Sequence, residues 1–260
     1  MSDSDDEPIT LSGHALDALK QFYAERDAHT AKFEKLNAEA EENAKSGKPL
    51  TIESFSEDWQ ESQFWYSEET ASLLAKQLLN GATPDMTLVV VSAPSVFVQL
   101  RNLVNQAGPD APKPKLYLLE HDNRFNVFGS EFIFYDLNEP FKLPPELKGC
   151  ADRMICDPPF LNEDTQTKAA LTIRWLAKPH TTPEPSPRLI VCTGERMEPI
   201  VTKVYKSFGL QTTTYEPTHA RGLSNEFYCY ANFEGEAWKW GKPVLSGERK
   251  DAQGVGMESK

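Results

Sequence analysis

Apolar positions divide this chain into elements before any residue chemistry is considered. Leu11, Ala15, Leu19, Phe22 and Tyr23 recur at helical spacing, and the pattern runs weakly on through Phe33, Leu36 and Ala40 until Ser46-Gly47-Lys48-Pro49 stops it. That spacing predicts one long or broken helix. A second helix begins after Ser67, a suitable N-cap, with Glu68 and Glu69 in the turn where the helix dipole favours acids and Ala71, Leu74, Ala75 and Leu78 on one face. Asn80-Gly81 ends it.

From there short apolar runs take turns with helical stretches. The runs are Leu88 to Val91, Leu116 to Leu119, Phe132 to Tyr135, Met154 to Cys156, Leu189 to Cys192 and Phe227 to Tyr230, and the helical stretches lie near Val96 to Asn105, Thr165 to Ala177 and Pro199 to Phe208. Runs that are apolar throughout are strands covered on both faces, and their alternation with helices predicts a mainly parallel α/β sheet. Gly209 to Tyr215 returns directly towards Phe227 to Tyr230, which predicts an antiparallel pair at one edge. Residues 1–8 are an acidic tail expected to be disordered, 9–49 a helical extension, 50–240 the α/β domain, and 241–260 a flexible tail too polar to pack.

Composition adds a direction. With 27 Lys and Arg against 39 Asp and Glu, the chain carries −12, which repels a phosphate backbone and attracts a basic protein. Cys150, Cys156, Cys192 and Cys229 form no CxxC pair and the histidines no close cluster, so buried free thiols are expected and a metal site is not. No signal-type leader and no run approaching the ~20 apolar residues of a membrane span is present, so a cytoplasmic monomer with no membrane partner is the expectation.

Doubly wound sheets bind ligands outside the carboxyl ends of their strands. Four such positions carry polar or unusual residues: Ser92-Ala93-Pro94-Ser95, Glu120-His121-Asp122, Asp136, and Asp157-Pro158-Pro159-Phe160. The two prolines stiffen the last of these between an acid and an aromatic, though alone it would pass for a strand exit with a turn-forming Asp. An acid ending the second strand suits the two hydroxyls of a ribose; Glu120 stands there, and Asp122 takes the role if the strand runs further. The first loop lacks the G-x-G-x-x-G of a dinucleotide site, which argues against a dehydrogenase; a cofactor with a nucleoside but no phosphate, such as S-adenosylmethionine, needs less.

Together with Gln63-Phe64-Trp65-Tyr66-Ser67, these motifs resemble the eukaryotic protein-lysine methyltransferases of translation elongation factor one alpha, a group formerly taken for N6-adenine DNA methyltransferases. The likeness runs from about Phe55 to Trp240. It implies the seven-stranded, class I (Rossmann-like) methyltransferase fold, with S-adenosylmethionine over the carboxyl ends of the strands. Ser92, Ala93 and Ser95 would then lie beside the methionine moiety, Glu120 on the ribose and Asp136 near the adenine amine. Trp65, Tyr66 and Ser67 would close over the cofactor, and Asp157, Pro158 and Phe160 would hold the amine. The first loop departs from the glycine-rich pattern of most class I enzymes.

The chemistry has its own demand. A lysine must lose its proton before attacking a sulfonium methyl, which costs roughly 4.6 kcal/mol at pH 7 when nothing helps. Desolvation and the neighbouring sulfonium lower that cost, whereas Asp157 favours the ammonium, so Asp157 and the Pro158 carbonyl are expected to orient the nitrogen rather than strip its proton. Phe160, with Trp65 or Tyr66, is expected to wall the lysine stem. Two other readings use the same residues: an N6-adenine methyltransferase, which the net charge opposes, and a methyltransferase-like binding module without catalysis, which the complete Asp157 to Phe160 element opposes.

Overall fold

The computed structural model describes residues 17, 20, 23, 24, 35, 38, 42, 52, 55, 65–108, 110–179, 187–221 and 226–243. The chain divides into two compact units, Met1–Lys48 and Pro49–Lys260. In the first, every described residue is helical. The expected acidic tail, Gln63, Phe64 and the chain beyond Pro243 lie outside the described residues. The second unit carries every candidate site residue.

Its elements in order are α1 (Glu68–Leu79), β1 (Thr87–Val91), α2 (Pro94–Gln106), β2 (Lys115–Glu120), β3 (Phe132–Phe134), β4 (Arg153–Cys156), α3 (Glu163–Leu176), β5 (Arg188–Gly194), α4 (Glu198–Val204), β6 (Gln211–Thr212) and β7 (Phe227–Ala231). The seven strands form one sheet in the order β3-β2-β1-β4-β5-β7-β6. β1 to β5 run parallel, and β7 lies antiparallel between β5 and β6. The seven-stranded expectation and its antiparallel pair at one edge both hold. The first five strands follow the doubly wound order, whose direction of winding reverses between β1 and β4 and opens a crevice at their carboxyl ends.

Every residue of β1 and β4 is buried, as strands covered on both faces require. One face carries Val89, Val91, Met154, Cys156, Leu189, Val191, Tyr228 and Tyr230 against Ala169, Ala170 and Ile173 of α3. The alternate residues point to the opposite side, where α1 and α2 pack together, α1 against β4 and α2 against β1 and β2. Tyr228 and Tyr230 are buried packing residues. Among the cysteines, Cys156, Cys192 and Cys229 are buried free thiols, whereas Cys150 is only partly buried.

Local chemistry sets the element ends. The Ser67 hydroxyl accepts the Thr70 N–H at 3.2 Å, which caps α1. After Asn80 the chain turns through Gly81 at φ +71°, a conformation that favours glycine. Arg153, one of the basic residues that sequence leaves unplaced, is buried inside β4 and closes the far end of α1: its Nη1 donates to Leu78 O at 2.8 Å and Asn80 O at 2.6 Å. A strand side chain thus satisfies carbonyls that a helix end would leave without partners. Between β2 and β3 runs a 3-10 segment, Asn123–Glu131, broken at Gly129, which the apolar pattern does not announce. Its Phe125 and Phe128 surround Phe55, with the Phe55 and Phe125 rings stacked at 4.6 Å.

Arg153→Met, which keeps the stem and removes the donors, is expected to lower the unfolding free energy by about 3 kcal/mol in chemical denaturation. The exposed Lys148→Met should cost under about 0.5 kcal/mol. Equal effects would show that the helix end does not depend on the guanidinium.

Candidate active site

The crevice is built from the carboxyl ends of β1, β2, β3 and β4, and each end presents its residues for a local reason. β1 stops at Ser92, whose φ of +53° makes it the one non-glycine residue in the left-handed region among those described. Its N–H still donates to Leu119 O at 2.9 Å, so the chain turns sharply off the sheet while bonded to it. A side chain held there costs about 1 kcal/mol, a strain typical of functional turns. Ala93 and Pro94 then open α2, which has no side-chain cap, and Ser95 is buried in its first turn.

β2 ends at Glu120 and does not extend to Asp122. The Glu120 carboxylate is folded back over its own strand end: Oε1 accepts the N–H groups of His121 at 2.7 Å and Asp122 at 3.3 Å. Asp122 is occupied differently, capping the 3-10 segment through the Arg124 N–H at 2.9 Å and pairing with the Arg124 guanidinium at 2.6 Å. Of the two acids considered for the ribose, Glu120 is therefore the one at the strand end. After β3, Tyr135 N–H donates to Glu120 O at 3.0 Å, and Asp136 follows, its Oδ1 accepting the Asn138 N–H at 2.8 Å.

β4 delivers Asp157, whose N–H donates to Val91 O at 3.1 Å, so the residue is still tied to the ladder when the diproline turn begins. Pro158 is buried and Phe160 half-exposed, at 50%. Leu161 packs closely on Gly194 at the end of β5, where a Cβ would meet its Cδ1 at 2.9 Å and force the leucine to shift. Asn162 caps α3 through the Thr165 N–H at 2.9 Å and closes the loop. Asp157 to Phe160 is thus held at both ends.

The segment before α1 crosses this crevice. Tyr66 forms an isolated antiparallel bridge with His219, flanked by Ser67 N–H to Thr218 O at 2.9 Å and Ala220 N–H to Trp65 O at 2.9 Å. Tyr66 N–H points to Ser95 Oγ at 3.4 Å, and the Tyr66 hydroxyl donates to Asp157 Oδ2 at 2.6 Å. Ser67 Oγ and Thr218 Oγ1 lie 2.8 Å apart. Trp65 and Tyr66 are buried, and the indole Nε1 of Trp65 has no hydrogen-bond partner among the described residues. Thr218 and His219 are participants that sequence reading missed. They lie in the β6–β7 connection, and nothing in Glu216-Pro217-Thr218-His219-Ala220 signals that it pairs with a segment 150 residues away.

Burial sets the electrostatics. Asp157 is pushed up to about 8, first by desolvation and then by the nearby Glu120 carboxylate, with the Tyr66 hydroxyl opposing both. Tyr66 itself is raised well above its ordinary range by burial and by Asp157, so its hydroxyl stays protonated. His219, desolvated between the Tyr66 ring at 4.9 Å and the Phe227 ring at 4.6 Å, is lowered to about 4 and stays neutral. The crevice therefore holds two carboxyl groups, and the charge of Glu120 raises the proton affinity of Asp157, an effect that a bound cation relieves.

The whole arrangement places the chain among enzymes that work at the carboxyl crest of a doubly wound sheet, and comparison with known proteins narrows the class. Residues 57–235 match the family model described as probable N6-adenine methyltransferase, and the chain belongs to that family. Its relatives include protein-lysine N-methyltransferase EFM5 of Saccharomyces cerevisiae, 43% identical over 239 residues, covering 89% of this chain and 94% of that protein. EEF1A lysine methyltransferase 1 of Gallus gallus is 38% identical over 234 residues, covering 90% of this chain and 98% of the relative. The Homo sapiens protein of that name is 37% identical over 236 residues, covering 90% and 97%.

The raised Asp157 carboxyl has a measurable consequence for stability. The folded protein holds that proton more tightly than the unfolded chain, whose Asp titrates near ~3.9, so its stabilising effect is lost as pH rises towards about 8. Asp157→Asn keeps an acceptor for Tyr66 and removes the charge. Its melting temperature relative to the parent should rise by about 8 °C more at pH 8.5 than at pH 5.5; a difference independent of pH would show that Asp157 is not raised.

Proposed function

We propose that this chain is an S-adenosylmethionine-dependent protein-lysine N-methyltransferase acting on translation elongation factor one alpha. The observation that carries the proposal is Asp157-Pro158-Pro159-Phe160, anchored at both ends on the crest of the sheet, with a carboxyl of strongly raised proton affinity at its start. The relatives named for this reaction support the substrate, and they match nearly the whole chain.

The residues suit the cofactor on three counts. Glu120 and Asp157 form an acidic pair that a sulfonium would stabilise, Trp65 carries a buried N–H in need of an acceptor, and the uncapped start of α2 suits a carboxylate. When bound, S-adenosylmethionine supplies an electrophilic methyl group. Glu120 would hold the ribose, Asp136 the adenine amine, and Ser92, Ala93 and Ser95 would lie beside the amino-acid portion. Trp65, Tyr66 and Ser67 close the crevice, while Asp122, bound to Arg124, supports the loop behind Glu120.

For the second substrate, the Asp157 carboxylate and the Pro158 carbonyl accept N–H bonds from the lysine amine and aim its lone pair. Phe160, exposed beside them, packs on the apolar stem. Burial gives Asp157 more than an orienting role. Moving a proton from an ammonium of pKa ~10.4 to an ordinary aspartate is uphill by about 9 kcal/mol, but to a carboxyl at about 8 the cost falls to about 3 kcal/mol. Asp157 thus accepts the proton at a cost an enzyme can meet.

Charge supports a protein substrate over nucleic acid. Beyond the net −12, several basic residues of the sheet domain are engaged locally: Arg101 pairs with Glu131 at 2.7 Å, Lys203 with Glu163 at 3.0 Å, and Arg153 is buried against a helix end. No described helix is long and apolar enough to cross a membrane. In this reading the methyltransferase domain spans 50–240 between the extension 9–49 and the tail 241–260, and the chain works as a cytoplasmic monomer.

Incubation with methyl-labelled cofactor and either elongation factor one alpha or duplex oligonucleotide should label the protein alone. Asp157→Ala should lower kcat/KM by about 100-fold or more. Label entering only the oligonucleotide would overturn the proposal, and a variant as fast as the parent would remove Asp157 from the chemistry.

A further inference from the structure

We propose that Tyr66 is the positioning residue of this site: its buried hydroxyl, braced by the Thr218–Ala220 strap, fixes the Asp157 carboxylate by Oδ2 and leaves Oδ1 to receive the incoming amine. The inference rests on the methyltransferase reading for what Oδ1 receives, but not for the bond itself. Sequence resemblance places Tyr66 over the cofactor or on the wall of the lysine channel. The structure gives its polar end different work, for the hydroxyl lies 2.6 Å from Asp157 and the residue is only 2% exposed.

Three features hold the hydroxyl in place. The Tyr66 backbone is bridged to His219 and bonded on either side through Ser67 and Ala220. Its N–H reaches Ser95 Oγ, so the same residue touches the loop after β1. Its ring packs on the neutral imidazole of His219, which in turn meets Phe227 at the start of β7. Behind the strap, Thr218 Oγ1 lies 3.0 Å from Thr70 Oγ1, which also accepts from the Tyr215 hydroxyl at 2.9 Å, so the brace is tied into the first turn of α1. A phenol gripped through its backbone and stacked against His219 has little freedom to follow a carboxylate that turns; the carboxylate must conform to it.

The groups facing Asp157 identify what the hydroxyl does there. From β2 comes Glu120, which opposes its ionisation; from β4 itself Cys156 and from β5 Cys192 are buried thiols raised above their usual range and therefore neutral. His219 reaches the carboxyl only through Tyr66. The phenolic O–H is the one hydrogen-bond donor to the Asp157 side chain among the described residues, and it is the influence that favours the charged form. Without it the carboxyl would turn about its last torsion and hold its proton to higher pH, failing both as an acceptor and as a guide.

The experiment compares the parent, Tyr66→Phe, and full-length protein carrying 3,5-difluorotyrosine at position 66, a stronger donor of nearly the same shape. Asp157 is titrated by the carbon-13 shift of its carboxyl, assigned with Asp157→Asn, in protein without substrate. Tyr66→Phe should raise the midpoint by about one pH unit, and the fluorinated residue should lower it. Under saturating substrates, Tyr66→Phe should lower kcat about 30-fold while cofactor affinity by calorimetry stays within about 2-fold. Unchanged midpoints in both variants would overturn the proposal, and so would cofactor affinity falling in step with kcat, which marks a cofactor contact. If Tyr66→Phe does not fold, the direction of the fluorotyrosine shift decides. Should the parent methylate no lysine, the methyltransferase reading falls while the titration still tests the bond.

Discussion

A carboxyl group largely withdrawn from water at the end of a central strand must be given a partner, and here the partner comes from the segment before α1. Tyr66 and Asp157 are 91 residues apart and meet at 2.6 Å. For that bond to form, the segment before α1 must cross the crest of the sheet, and the β6–β7 connection must fold back to brace it. The antiparallel insertion of β7 between β5 and β6 makes the second condition possible: with β7 reversed, the chain entering it starts beside the carboxyl ends of the parallel strands, where Phe227 packs on His219 and His219 on Tyr66. The edge of the sheet is thus part of the site's support.

The site is costly to maintain. Desolvation and Glu120 both oppose ionisation of Asp157, and Ser92 sits in a backbone conformation that glycine would occupy with less strain. Cores arranged only for stability avoid such features, whereas sites that take up cations at fixed points retain them. Both reactants of the proposed reaction carry positive charge into this acidic crevice, and the acidic surface of the chain favours their approach at longer range. Arg153, the buried cation of the central strands, is turned to a local task, closing the end of α1.

Much of this was legible in order along the chain. Strands buried on both faces leave continuous apolar runs, and the residue that follows such a run in a parallel sheet must lie on the crest; that alone singled out Glu120, Asp136 and Asp157. The helix start at Ser67 is likewise local, since a cap and the N–H it satisfies are three residues apart. Periodicity and capping are properties of neighbours, so sequence alone determined the α/β class, the parallel order of elements and the acids at the strand ends. The choice of Glu120 over Asp122 needed the true end of β2 and the salt bridge to Arg124, and the positive φ of Ser92 and the burial of Arg153 in a strand leave no pattern to read. Tyr66, Thr218 and His219 came together only in the tertiary structure, and so did the raised proton affinity of Asp157. Desolvation and long-range pairing depend on what the folded chain brings alongside a residue, and no local rhythm of apolar and polar positions carries that information.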